Sequence, residues 1–160
     1  MEVEVWRLSP ADWRIYQEVR LAALQEAPYA FGSTWERESG LTEQGWRERL
    51  AERAQFVAIS EDEVVGTIGC ATHEDGRAAD LVSMWVDPRR RGHGVGDRLV
   101  KAVLEWAARS VGVDEVRLWV ADGNREAERL YARNGFGRTD GVQPIRPGEP
   151  QLEFEMTRRL

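Results

Sequence analysis

The order of hydrophobic and polar positions divides the first fifty residues into short regular segments. Residues 3–8 alternate between the two classes, which predicts a strand. Ser9 can then cap a helix, and Pro10 suits its first turn; the helix must end before Pro28. After a stretch that is irregular or briefly helical, Thr42 is placed to cap a second helix.

The middle of the chain changes to the periodicity of strands. Residues 56–60 and 64–72 are rich in β-branched side chains and are separated by Glu61-Asp62-Glu63, which predicts a hairpin. Residues 81–86 are apolar on both faces, as expected of a central strand. From Val95 an apolar stripe at helical spacing predicts a helix.

The last third continues this alternation of strands and helices. Residues 116–120 predict a strand that is buried on both faces, and Asn124 to Arg133 predict a short helix capped by Asn124. Residues 152–160 predict a final alternating strand. Helices interleaved with a run of strands favour one domain over residues 1–160, built on a mixed sheet with helices packed against it.

Composition and charge narrow the classes of function. The formal net charge of −6 argues against a nucleic-acid partner, which needs a broad basic surface. We expect no membrane span and no secretion signal, because no long apolar run or basic-apolar leader is present. Cys70 is the single cysteine, which excludes an internal disulfide and favours a cytoplasmic location. A homodimer is compatible with this composition.

The segment Arg89–Gly96, RRRGHGVG, suggests an anion site. The first backbone N–H groups of the helix that follows have no partner within it and lie at the positive end of its dipole. Glycines let a phosphate approach the backbone, and arginines add charge. The plainer alternative is a tight turn solvated by arginines. A P-loop does not fit because Asp97-Arg98 follows Gly96, and the glycine spacing is not that of a dinucleotide fingerprint.

Two motifs resemble one family. Arg91-Gly92-His93-Gly94-Val95-Gly96, after Val86-Asp87-Pro88, resembles the Arg/Gln-x-x-Gly-x-Gly/Ala acyl-CoA signature of the GCN5-related N-acetyltransferases (GNAT). Residues 124–136, NREAERLYARNGF, are similar to that family's Asn-x-x-Ala-x-x-Leu-Tyr-x-x-x-Gly-Phe segment. Residues 28–34, PYAFGST, look like the acceptor-side segment of a bacterial subgroup. The resemblance is tight over 80–136 and looser over nearly the whole chain.

The resemblance implies an α+β fold, with a central mixed, mostly antiparallel sheet flanked by helices and two central strands splayed apart. Acetyl-CoA would lie in that gap, with its pantetheine arm along the backbone of Met84 and Val86. Its diphosphate would lie on the glycine loop, and Asn124 would make a polar contact. The implied cofactor residues are Met84, Val86, Arg91, Gly92, His93, Gly94, Val95, Gly96 and Asn124. Asn124 can also be only a helix cap, and His93 only an exposed loop residue.

The implied reaction is acetyl transfer from acetyl-CoA to a primary amine of a small molecule or protein, directly within a ternary complex. The resemblance makes Tyr131 the acid that protonates the leaving thiolate; a core aromatic is the alternative. The general base stays open between Asp80, Glu36, Glu38 and a chain of waters.

Two other possibilities concern metal and catalysis itself. Cys70-x-x-His73 has no second ligand pair, so we expect no metal site. The alternative to an enzyme is a non-catalytic acyl-CoA-binding or regulatory domain that keeps the cofactor site.

Overall fold

A computed structural model describes residues 2–160. The helices are α1 (Trp13–Glu26), α2 (Trp35–Glu38), α3 (Glu43–Glu52), α4 (Val95–Arg109) and α5 (Arg125–Arg133). The strands are β1 (Glu4–Leu8), β2 (Ala54–Ser60), β3 (Glu63–Thr72), β4 (Ala78–Val86), β5 (Glu115–Ala121), β6 (Gly137–Pro144) and β7 (Leu152–Arg159). None of the helices within residues 2–160 has the length and apolar character needed to cross a membrane.

All seven strands form one sheet in the order β1-β2-β3-β4-β5-β7-β6. Five of the neighbouring pairs are antiparallel, and β4 with β5 is parallel, so the predicted mixed, mostly antiparallel sheet is confirmed. The β4–β5 register runs only from Ala78 opposite Glu115 to Asp80 opposite Arg117. Beyond that point the two central strands separate, as the resemblance implied.

Helices cover the sheet on both sides and create two apolar clusters. On one side, Leu99 and Val103 of α4 are fully buried in a cluster with Ile68 of β3. On the other side, Tyr16 of α1 and Trp46 of α3 are fully buried and meet edge to face at 5.5 Å. Burial on both sides explains why β2, β3 and β4 are apolar on both faces.

Local signals begin and end the elements where the sequence predicts them. The Ser9 backbone N–H donates to the Asp12 carboxylate at 2.8 Å, and Gly45 N–H donates to Thr42 Oγ1 at 3.1 Å. The β2–β3 hairpin turns on Glu61 and Asp62, whose φ angles of 51° and 62° match the twist that a two-residue hairpin requires.

The structure corrects two sequence predictions about strands and adds one strand that the sequence did not predict. Residues 116–120 are not buried on both faces: Trp119 is 39% exposed, because α1 and α3 pack on β2–β4 and leave that face of β5 open. β4 begins at Ala78 rather than residue 81, so Asp80 is its third residue. β6 was not predicted, since GRTDGVQP carries no alternating pattern; it exists by pairing with β7.

Candidate active site

The loop after β4 turns the chain into α4 through two glycines. Asp87 accepts the backbone N–H of Arg89 at 2.9 Å and so opens a short turn over Pro88–Arg90. Gly92 and Gly94 both have φ of 80°, in the left-handed region that favours glycine, and α4 begins directly after them. The bare backbone of this loop therefore faces open space at the start of a helix.

Gly96 has a different role, since it lies where three elements meet. A Cβ placed there would be 3.2 Å from Cε of Met84 on β4 and 3.1 Å from Cδ2 of Leu130 on α5. A side chain there would require Met84 and Leu130 to move by a few tenths of an ångström or more. The third glycine of the motif thus sets how closely α4 approaches β4 and α5.

A cavity of about 580 Å³ opens between the end of β4, the glycine loop and α5. Eight of the nine predicted cofactor residues line it: Met84, Val86, Arg91, Gly92, Gly94, Val95, Gly96 and Asn124. His93 is exposed and does not line it, which favours the alternative of a loop residue. Tyr29, Ala30 and Phe31 form a further wall, so the PYAFGST segment borders the same space.

The three loop arginines point in different directions. Arg89 turns back to Asp87, with Nη2 at 2.9 Å from Oδ2, whereas Arg90 and Arg91 line the cavity. Arg91 Nε donates to the Val86 carbonyl at 3.0 Å, and its Nη2 donates to Glu26 at 3.1 Å. Only part of the predicted positive charge therefore faces the cavity.

Glu26, the last residue of α1, connects that helix to this loop. Its Oε2 accepts from Arg91 and also from Trp85 Nε1 at 2.9 Å. The residues directly after it begin the Tyr29–Phe31 wall of the cavity. Sequence reasoning missed this carboxylate, because nothing local marks a contact across 65 positions.

Helix α5 contributes two arginines that the sequence analysis also missed. Arg129 and Arg133 both line the cavity. Arg133 forms a two-point ion pair with Asp97 of α4, with both distances 2.9 Å. Their spacing of four residues, on the face that carries Ala127 and Leu130, was the available signal.

A β-bulge orients the end of β4 toward the cavity. Thr67 pairs with Trp85 and Gly69 with Val82, so Ile68 alone faces two residues of β4. Ser83, one of those two, has φ of 59°, a strained angle for a residue with a side chain. The extra residue shifts the alternation, so that Met84 and Val86 face the α4 side while Trp85 joins the opposite cluster.

Tyr131 is buried beside the cavity rather than exposed in it. It is 5% exposed and meets the Phe136 ring edge-on at 5.8 Å. Its helical neighbours Ala127 and Leu130 line the cavity, but Tyr131 is not among the lining residues. Burial raises the pKa of the Tyr131 phenol, which therefore stays protonated throughout the neutral range.

Asp80 lies at the point where β4 and β5 separate, and it is paired. Its Oδ2 is 2.9 Å from His73 Nδ1, and the two side chains are 38% and 40% exposed. The hydrogen bond and the negative charge of Asp80 raise the pKa of His73 above 6.5.

The two glutamates considered as bases lie in α2 and differ in burial. Glu36 is exposed and outside the cavity lining. Glu38 is 2% exposed and accepts from Arg20 Nε and Nη2 at 2.9 Å each. Burial alone would raise the pKa of Glu38, but hydrogen bonds and charge from Arg20, together with Ser33 and Arg49, lower it to about 2. This makes Glu38 a structural ion-pair partner and too weak a base for an amine.

Asn124 caps α5 and also borders the cavity, while its polar contact with a cofactor stays a prediction. Its Oδ1 accepts the Ala127 backbone N–H at 3.3 Å, which makes it the cap of α5, and it also lines the cavity.

Cys70 is fully buried on β3; burial, with the charge of Asp80, raises the pKa of its thiol to about 12. Cys70 is therefore not a nucleophile.

Comparison with known proteins gives a consistent result. The model of the acetyltransferase (GNAT) family matches residues 15–136. An uncharacterized N-acetyltransferase of Methanocaldococcus jannaschii is 30% identical over 103 residues, 61% of this chain and 45% of that protein. The chain spans less than half the length of the first curated relatives that it matches.

Two solved structures share the whole fold. A GNAT-family acetyltransferase from Streptococcus pneumoniae superposes with a TM-score of 0.79 at 20% identity, covering 99% of this chain and all of that one. An N-acetyltransferase from Thermoplasma acidophilum, solved in complex with coenzyme A, gives 0.74 at 18% identity and covers both chains fully. At this identity the likeness establishes the fold.

Proposed function

Because the chain belongs to the acetyltransferase (GNAT) family, we propose that it is an enzyme that transfers the acetyl group of acetyl-CoA to a primary amine in a ternary complex. The observation that carries the proposal is the cavity at the separated strands, which gathers the glycine loop, the end of β4 and α5. Neither the family nor the relatives described above favours the non-catalytic alternative.

The cofactor side of the proposal follows from the geometry of the cavity. The diphosphate of acetyl-CoA would lie on the backbone of Gly92–Gly96, at the positive end of α4, with Arg91 beside it. The pantetheine arm would lie along Met84 and Val86, the residues that the bulge turns toward this space. Arg129 would add charge from α5.

The proposed reaction has two proton transfers, one to the Asp80–His73 dyad and one from Tyr131. The amine nitrogen attacks the thioester carbonyl carbon, and its proton passes to the Asp80–His73 dyad, directly or through water. The carbon–sulfur bond then breaks, and the thiolate takes a proton from Tyr131. Neither Asp80 nor Glu36 lines the cavity; we prefer Asp80 because it stands where the two central strands part. Burial keeps the Tyr131 phenol protonated, so it has a proton to donate, and the raised pKa also makes it a weaker acid.

The test is a thiol-release assay with acetyl-CoA and a panel of neutral, cationic and acidic amines. We expect thiol release that requires an amine, together with an amide product detected by mass spectrometry. Calorimetric binding of acetyl-CoA without turnover on any amine would instead identify a binding domain. A folded protein that does not bind acetyl-CoA would refute the proposal.

A further inference from the structure

A second concave surface, which we call the α4 groove, lies away from the candidate active site. It has a volume of about 1100 Å³ between the edge strand β1 and the outer flank of α4. Its lining residues are Val5, Arg7, Phe56, Arg98, Lys101, Ala102, Glu105, Trp106, Arg109 and Ser110. It shares none of them with the cavity at the glycine loop.

The charge of the α4 groove contrasts with that of the whole chain. Arg7, Arg98, Lys101 and Arg109 line it with one carboxylate, Glu105, in a chain of net charge −6. Within residues 2–160, none of these four cations has an ion pair or a side-chain hydrogen bond. Most arginines around the active-site loop are paired, for example Arg89 with Asp87.

Helix stability accounts for only part of this arrangement, since Glu105 lies four residues from both Lys101 and Arg109 but cannot favour Arg98. Arg98 lies in the first turn of α4, where the helix dipole disfavours a cation. Lys101 follows it by three residues, and like charges at that spacing repel. Arg109 alone occupies the last turn, where a cation is favoured. A bound anion would offset the repulsion between the other charges.

The floor of the α4 groove is apolar and aromatic. Phe56 of β2 is 8% exposed, and partly buried Val5 and Trp106 flank it. A ligand complementary to this surface carries several negative charges on one part and a flat ring on another. Phosphate oxygens suit guanidinium and ammonium donors, and a ring packs on Trp106.

We propose that the α4 groove is a second binding site, for a phosphorylated small molecule that bears an aromatic ring. Its phosphate groups contact Arg98, Lys101 and Arg109, and its ring lies over Phe56 and Trp106. The site is independent of acetyl transfer, so the proposal stands or falls separately from the proposed function.

Lys101 is the single lysine of the chain and therefore reports on the α4 groove. The experiment measures acylation of its exposed amine by a succinimidyl ester, by peptide mass spectrometry, with the chain's terminal amine as internal reference. ADP is the probe, with pyrophosphate and citrate as comparison anions. We expect ADP to slow Lys101 acylation saturably, pyrophosphate to act only at higher concentration, and citrate to have little effect.

Variants locate the effect. Arg98→Gln with Arg109→Gln keeps Lys101 and should weaken ADP protection by at least about tenfold, because each charged hydrogen bond contributes substantially. Glu105→Gln should strengthen it. Arg37→Gln with Arg159→Gln, which removes two positive charges outside the α4 groove, is the matched control and should change nothing. The proposal is overturned by absence of protection, by equal protection from citrate, or by an equal loss in the control.

Discussion

Replacing Glu38 by glutamine should destabilise the wall of the candidate active site. Glu38 pairs with buried Arg20, which is 7% exposed and already has one nitrogen, Nη1, without a partner. Arg20 also lies 5.0 Å from the Phe31 ring, part of that wall. Glutamine leaves the Arg20 charge buried and unpaired, which costs about 3–5 kcal/mol.

The pKa of Glu38 gives a second route to this magnitude. It falls from 4.5 to about 2 on folding, and by linkage the difference is worth roughly 3 kcal/mol of folding stability. Because the folded pKa is the lower one, this contribution is fully present above about pH 4.5 and is lost as the pH falls toward 2. Glu38→Gln should therefore lower the stability of the protein at pH 7 and flatten its acid dependence between these values.

Urea unfolding at pH 7 and at pH 3.5 measures both effects. The matched control is Glu43→Gln, which breaks the exposed pair with Arg47 and should cost less than about 1 kcal/mol. The prediction fails if the unfolding free energy of Glu38→Gln lies within about 1 kcal/mol of that of Glu43→Gln. It fails also if Glu38→Gln keeps the acid dependence of the parent. In either case the buried Arg20–Glu38 pair does not stabilise this wall.

Three further predictions concern the proposed reaction. Gly94→Glu should abolish acetyl-CoA binding in calorimetry, while Gly94→Ala, which bears the same strain at φ of 80° without the charge, should lose much less; equal losses would remove the diphosphate from this loop. Tyr131→Phe should lower kcat by ~10²–10⁴-fold with little change in acetyl-CoA affinity; a kcat within about twofold of the parent, with chemistry rate-limiting, would exclude the acid role. NMR titration should find the His73 pKa above 6.5, and kcat should rise as the pH passes through that pKa. Asp80→Asn should move both the His73 pKa and the rise in kcat to lower pH. A pH profile of kcat that this change does not move would contradict the role of the Asp80–His73 dyad.

The fold could be predicted wherever burial of one or both faces of an element produces a regular pattern of hydrophobic residues. β2, β3 and β4 are apolar because helices cover both sides of them, and α4 shows one clean stripe. β6 left no such trace, because its residues are mostly exposed and hydrogen bonds to β7 hold it. Trp119 made β5 look buried on both faces. A sequence does not distinguish an aromatic residue on an uncovered face from one in the core.

Site residues that are close together in the sequence could be predicted, whereas those brought together from distant positions could not. The glycine loop and the Asn124 cap are contiguous in sequence, and most of their residues line the cavity. Glu26 reaches Arg91 across 65 positions, and His73 reaches Asp80 across a turn and a change of strand. Such pairs depend on the register of the sheet and on how a helix end meets a loop, which local sequence patterns do not contain.

The glycine motif is required by the fold itself, apart from any role in binding. Gly92 and Gly94 are required by their left-handed backbone, and Gly96 by the close approach of Met84 and Leu130. A chain that keeps this loop keeps the angle between β4 and α4, and with it the opening beside β5. The Tyr29–Phe31 wall of the cavity is held instead by Arg20 and by Arg146, whose Nη1 donates to the Phe31 carbonyl at 2.7 Å. Those contacts can change without disturbing the loop, so similarity in the motif predicts the cofactor and leaves the amine to be found by experiment.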